Sequence, residues 1–492
     1  MTRTALLPLA VFKEVRALAV PWLACLAAMV APVVVDVPRA LGGISVLAYF
    51  LGAAALGALS IGHEYTGRTL GLLLSLPARR RRLLLIKLGV LAAMLLVLWV
   101  VADTLVFRGP RESQAENLAA SVLAVLCALF LAPWLTMACR NPIAGTVFTM
   151  AIPGVLLTVG ELIGAATYGR GPETDALRMA ILWWGTLGLC AIGASASWRM
   201  FMRLEAIDGR DPDVRLPQWL QWPAPASTAA SSFRKRNPMW LLVKKELRLQ
   251  QMTLVVAGLY VFAWLVIASA SSKAFVPHVD DALTILTFFY VGLVALLIGS
   301  LASAGERQLR TLEWQVLLPP GTSLQWALKM GVVLGLAMLL AIGLPAVSAS
   351  IYSATNPLQF LRPELAVIIV LLTAGSLYVS SLCNSGLWAL LMSMTATCGT
   401  VTLVGVAIAQ VTVARVESLR VAGGMAPRDY GPRPLVLTPL LALFIAGLIA
   451  VLLRFAFTNH RSAEPAASRV WKQAILMAVF AATGVMILTS RL

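Results

Sequence analysis

Residues 64–77 read EYTGRTLGLLLSLP, and residues 306–319 read ERQLRTLEWQVLLP. The two align without a gap at a constant offset of 242 (306 − 64). They share Glu64/Glu306, Arg68/Arg310, Thr69/Thr311, Leu70/Leu312, Leu76/Leu318 and Pro77/Pro319. At the same offset Lys87 falls on Lys329, Gly89 on Gly331 and Val90 on Val332. Upstream, Lys13-Glu14-Val15-Arg16 matches Lys245-Glu246-Leu247-Arg248 at an offset of 232 (245 − 13). Each copy is a polar insert between two long apolar runs, which is the pattern of a duplicated membrane unit.

The runs around the inserts set the solvent. Of the 492 residues 59% are hydrophobic and 12% charged, with a mean hydropathy of +0.85. A soluble domain carries about a quarter charged residues. The windows 41–62, 118–138, 251–272, 282–304, 365–414 and 473–490 hold no Asp, Glu, Lys or Arg. A helix of about 20 apolar residues crosses the ~30 Å hydrocarbon core. Spans are therefore expected near 18–35, 41–62, 83–107, 117–138, 143–167 and 176–201, then near 251–271, 281–304, 326–351, 364–382, 386–411, 434–457 and 471–489. Helices follow because lipid cannot satisfy free backbone groups, and the runs lack the alternation of a β-barrel.

The expected fold is an all-α integral membrane protein of about 12–13 transmembrane helices in two repeated six-helix halves. Residues 1–202 form the first half and 203–240 a Pro-, Ser- and charge-rich cytoplasmic linker. Residues 241–460 form the second half, and 461–492 an additional C-terminal helix. The basic segments Lys13-Glu14-x-Arg16 and Lys244-Lys245-Glu246-x-Arg248 read either as amphipathic lead-in helices, with basic side chains toward headgroups, or as ordinary basic flanks of a span.

A net charge of +17 invites a nucleic-acid reading, but distribution argues against it. With the N-terminus inside, that side's loops and flanks hold the larger share of the Lys and Arg, while Asp and Glu show no such bias. That is the positive-inside pattern of a multi-pass protein of a bacterial-type cytoplasmic (inner) membrane. The loop 412–433, with Arg415, Arg420, Arg428 and Arg433, runs against it. The six cysteines lie within or beside apolar spans, and none forms a C-x-x-C pair, so they read as buried apolar residues.

Each insert reads as a short helix on the cytoplasmic side. Glu64 and Glu306 stand at its start, favoured by the positive helix end, and Pro77 and Pro319-Pro320 stop it. Thr69, Leu70, Leu72, Leu73 and Leu76, with Leu312 and Trp314 in the second copy, give it an apolar surface that suits docking. The alternative is a helix lying on the membrane, pinned by Arg79-Arg80-Arg81-Arg82 to anionic lipid.

E-x-x-x-R-T-L, a leucine-rich segment, L-P and a lysine opening the next span resemble the cytoplasmic insert of ABC-2 type transporter permeases. The resemblance implies that Glu64–Pro77 and Glu306–Pro319 are coupling helices touching an ATPase. ATPase coupling would then rest on Glu64, Arg68, Thr69, Leu70, Leu72, Leu73, Leu76 and Pro77, and on Glu306, Arg310, Thr311, Leu312, Trp314, Leu318 and Pro319. It also implies that Phe12–Arg16 and Val243–Arg248 are the lead-in helices. The extra last span departs from the family plan. So does the second insert, which carries Gly321-Thr322-Ser323 where Arg79–Arg81 stand in the first.

No G-x-x-x-x-G-K-[ST] stretch occurs, so ATP and Mg are expected on separate ATPase subunits, with no cofactor or metal in this chain. No catalytic residues are expected, and His63, His278 and His460 are far apart in sequence. Candidate pathway residues are Glu161 and Asp103. Lys87 and Lys329 read as snorkelling toward the interface. The expected partners are the ATPases, membrane lipid and a small-molecule or lipid substrate, with export of something hydrophobic or amphiphilic. The alternatives are an ion-coupled secondary transporter or channel without an ATPase, or a membrane scaffold or sensor.

Overall fold

The computed structural model describes residues 6–34, 42–67, 69–75, 79–107, 111–168, 172–204, 238–271, 279–309, 321–351, 362–400, 402, 439–462 and 467–491. Among these residues the regular structure is helical throughout. Eleven helices are long and apolar enough to cross a membrane, so the chain has the make-up of a multi-pass membrane protein. Of the remaining expected spans, 386–411 is described only over 386–400 and at 402, as helix. The span at 471–489 lies inside a helix over Ala467–Arg491. The linker falls almost wholly outside the described residues.

The first seven helices are α1 (Leu6–Val34), α2 (Gly42–Thr66), the short α3 (Leu70–Ser75), α4 (Arg80–Leu105), α5 (Arg111–Cys139), α6 (Pro142–Tyr168) and α7 (Pro172–Met202). The second set is α8 (Pro238–Leu249), α9 (Gln251–Ser271), α10 (Val279–Gln308), α11 (Thr322–Met338) and α12 (Leu344–Ile351), then α13 (Pro363–Ser380), α14 (386–400), α15 (Pro439–His460) and α16 (Ala467–Arg491). A π-helical turn, Leu339–Gly343, joins α11 to α12. The Tyr290 hydroxyl donates to the Leu340 carbonyl there, at 3.0 Å. An outside donor on a ladder carbonyl is what such a bulge accommodates.

Two helices sit at the centres. In α2, 78% of the most apolar window is buried, and in α10, 67%, against 44% or less in the other nine. Both are rich in small residues on their packed faces, which lets neighbouring backbones approach. A Cβ added at Gly57 would collide with the Ala128 carbonyl of α5. One added at Gly299 would meet the Thr373 carbonyl of α13 at 2.6 Å. Gly57 and Gly299 are themselves related by the offset of 242.

A short turn separates α5 from α6 at Cys139–Pro142, and its chemistry is local. Arg140 takes a positive φ of 52°, the left-handed position that ends many helices. Asn141 Oδ1 then accepts from the Ile143 amide at 2.8 Å, an N-cap with Pro142 at the first helical position.

The two lead-in segments differ from each other, and the first departs from expectation. In the first copy there is no separate helix: Lys13, Glu14 and Arg16 lie inside continuous α1. In the second, α8 breaks at Gln250 before α9. Gln250 is buried, and its amide donates to the Ile298 carbonyl at 3.0 Å and accepts from Thr253 at 2.9 Å. The matching position in α1 is Leu18 (250 − 232), a buried apolar residue that makes no such demand.

One apolar core runs through both sets of helices. The Thr395 hydroxyl of α14 donates to the Ala24 carbonyl of α1 at 3.0 Å. A Cβ at Gly386 would touch Ile143 at 2.8 Å and Leu301 at 2.9 Å. A Cβ at Gly62 would touch Pro142 at 2.6 Å. The C-terminal end of α2 therefore meets the start of α6, and that of α10 approaches it across Gly386 of α14, at one end of the bundle.

Candidate functional site

The repeated charged residues converge at that end in two clusters of the same make-up. In the first, Lys87 of α4 donates to both oxygens of Glu14 in α1, at 2.8 and 2.9 Å, and to Glu64 Oε1 in α2, at 3.1 Å. A longer contact, 3.4 Å, reaches the Ser60 carbonyl. Lys13 donates to Glu64 Oε1 at 2.9 Å. Thr69, just after α2, donates its hydroxyl to Glu64 Oε2. His63 completes the group, with Nδ1 2.8 Å from the Leu59 carbonyl and Nε2 3.2 Å from Glu64 Oε1.

In the second cluster Lys329 of α11 lies 2.7 Å from Glu306 Oε2 in α10 and 3.3 Å from Glu246 Oε2 in α8. It also donates to the Ala302 carbonyl at 2.7 Å. Lys245 donates to Glu306 Oε1 at 2.5 Å. Ser60 and Ala302 are related by 242 (302 − 60), so even the backbone acceptor recurs. His63 is replaced by Gly305; the nearby aromatic contact is His460 on Trp326, ring centres 5.2 Å apart.

These placements correct the reading of the lysines as snorkelling. The side chains of Lys87 and Lys329 are 2% and 0% exposed. Moving an ammonium or a carboxylate out of water costs several kcal/mol per ion. Each lysine is held inside because two carboxylates and a carbonyl surround it. Glu14 and Glu246 are buried as their partners.

Glu64 and Glu306 also sit elsewhere than expected. They belong to the last turns of α2 and α10, not to the start of an insert helix. A carboxylate at a helix C-terminus opposes the local dipole, and the paired lysines supply the compensation. Burial is the largest influence on the Glu246 carboxyl and raises it to about 7, against the nearby Lys329, with Glu306 adding repulsion.

In the first insert, α3 begins at Leu70. The Thr69 amide donates to the Glu64 carbonyl at 3.0 Å and its carbonyl accepts from Leu73 at 2.9 Å. Leu72 is 70% exposed, while Leu73 is buried against Ile61, Leu83, Leu84, Met137 and Phe201, with half-buried Leu70 packed beside them. Only part of the expected leucine surface therefore faces outward. Arg68, Leu76 and Pro77 lie outside the described residues, as do Arg310, Thr311, Leu312, Trp314, Leu318 and Pro319 of the second insert. Of the pathway candidates, Asp103 is half-buried in the last turn of α4, and Glu161 lies on α6 with its side chain outside the described set.

Glu14, His63 and Glu64 bring donor atoms within 4.8 Å of one another, a metal-like spacing. The ammonium groups of Lys87 and Lys13 already stand where a cation would bind, so the trio reads as an ion-pair network. Sequence spacing alone hid the network, because with Lys87 its members come from three helices. The signal that could have found it was the repeat of Lys-Glu, Glu and Lys in the same order.

No protein family, no characterised protein and no solved structure matches this chain.

Proposed function

We propose that this chain is the membrane-spanning permease subunit of an ATP-driven transporter. It is built from two repeated halves, and separate ATPase subunits act on it through the two inserts. The observation that carries the reading is the recurrence of one ion network, from repeat-related residues, at the root of each insert. Each network joins the lead-in segment, the central helix and the helix after the insert. Force applied at an insert would move those helices as a unit, since packed elements shift between discrete arrangements rather than deforming.

Three further observations support it. Both networks lie at one end of the bundle, so one class of partner could reach both inserts. The chain carries no phosphate-cradling motif of its own. The deeply buried carboxylates in the networks are capped by lysines, whereas an ion-coupled carrier needs carboxylates free to exchange ions with a pathway. The cargo would be hydrophobic or amphiphilic and the direction export, in a bacterial-type inner membrane with the N-terminus cytoplasmic.

Photo-crosslinking from position 72 in intact membranes tests this. The expected adduct is a nucleotide-binding ATPase. Adducts with lipid alone would overturn the docking role of the insert.

A further inference from the structure

An open apolar groove runs between α1 and α4 beside the first ion network. Val11 and Val15 of α1 line it together with Ile86, Gly89, Val90, Ala93 and Met94 of α4; its volume is about 400 Å³. A Cβ at Gly89 would meet nothing within 4 Å, so the groove exists partly because residue 89 lacks a side chain. Arg82 lies one turn before Ile86, and positions 82, 86, 89/90 and 93 share one face of α4. From Arg82 to Met94 the helix rises ~18 Å, comparable with half of the ~30 Å hydrocarbon core.

The four arginines before this face divide their work. Arg80 donates to the Met202 carbonyl at 2.6 Å, and Arg81 lies over the Trp198 ring at 6.0 Å. Both are turned to α7. Arg79 and Arg82 are exposed and have no carboxylate partner among the described residues. The result is a strip with two cations at its polar end and an apolar groove behind them that follows α4 from Ile86 to Met94, ~12 Å of helix.

We propose that this groove is a binding site for one anionic phospholipid, its phosphate at Arg79 and Arg82 and an acyl chain along Gly89. The charge pattern selects the occupant, since a basic pair at the membrane surface favours anionic headgroups. The second half provides a contrast. Gly331 is equally open, but Gly321, Thr322, Ser323 and Leu324 replace the arginines, so that side has no headgroup choice.

The test is native mass spectrometry of the detergent-purified full chain, titrated with equimolar dioleoyl phosphatidylglycerol and dioleoyl phosphatidylcholine. The first retained lipid is expected to be phosphatidylglycerol. Arg79→Gln with Arg82→Gln should lower its retention at least about fivefold, the weight of one surface basic residue at an anionic lipid, and leave phosphatidylcholine unchanged. Gly89→Leu should lower retention of both lipids, and Gly331→Leu should leave phosphatidylglycerol retention as it was. Equal retention of the two lipids by the unaltered chain would overturn the proposal. So would phosphatidylglycerol retention indifferent to the double arginine change, a surface substitution that leaves packing intact even if Gly89→Leu disturbs folding.

Discussion

The Lys87 ammonium reaches both oxygens of Glu14, at 2.8 and 2.9 Å, and so ties the start of α4 to α1 across 73 residues of chain. Glu64 of α2 shares the same ammonium at 3.1 Å. One cation thus holds three helices at the point where the first insert leaves the bundle.

Removing that cation leaves two buried carboxylates facing each other, so Lys87→Met should be severely destabilising, by about 3–5 kcal/mol. Lys87→Met with Glu14→Leu removes a charge of each sign and should recover part of the loss, because residues in one network couple by roughly 0.5–3 kcal/mol. Thermal unfolding of the detergent-purified variants gives the comparison. A double variant no better than Lys87→Met would count against the pairing.

The two carboxylates around Lys329 should differ. Glu306 is gripped by Lys245 at 2.5 Å and Lys329 at 2.7 Å, while Glu246 has the longer 3.3 Å contact. Glu306→Gln should be the more damaging change. The Glu246 carboxyl is raised toward 7 by burial, above its unfolded value, so the folded state holds its proton more tightly. That contribution is fully present below the unfolded pKa and is lost as pH rises through about 7. Unfolding temperatures taken from pH 5 to 8 should fall less steeply in Glu246→Gln than in the unaltered chain. Identical slopes would refute the assignment to Glu246.

Glycine substitutions should split by surroundings, not by residue type. Gly299→Ala pushes a methyl into the Thr373 carbonyl and the Ser376 side chain, and overpacking of this kind costs about 1–3 kcal/mol. Gly89→Ala meets nothing and gains helix propensity of up to about 1 kcal/mol. The first variant should melt earlier and the second at the same temperature or later.

Thr69→Val removes the hydroxyl that Thr69 gives to Glu64 while keeping its shape. Hydrogen bonds to charged groups contribute about 1.5–3 kcal/mol. The expected result is faster hydrogen exchange confined to residues near 67–75, with the spans unaffected. Unchanged exchange there would show that the insert is not tethered through Glu64.

Much of this organisation was legible in the sequence. Charge-free runs located much of the helical structure, because lipid permits little else. The repeat also named most network members: Lys13, Glu14, Glu64 and Lys87, and their counterparts. What periodicity could not say was which way those side chains point. A lysine one turn inside a span reads as snorkelling until its carboxylates are seen on other helices. Likewise Glu64 looked like the start of the insert, since only the three-dimensional pairing keeps it in the last turn of α2. Leu73 looked exposed until Phe201 and Met137, distant in sequence, were found covering it.

The most direct measurement is ATP hydrolysis co-purifying with the affinity-isolated chain, per mole of chain, for the unaltered protein and for Leu72→Asp. Leu72 is outward-facing, so the substitution should leave thermal unfolding unchanged. The account predicts hydrolysis with the unaltered chain and its loss in the variant. A stable chain that recovers no ATPase, or hydrolysis untouched by Leu72→Asp, would contradict it.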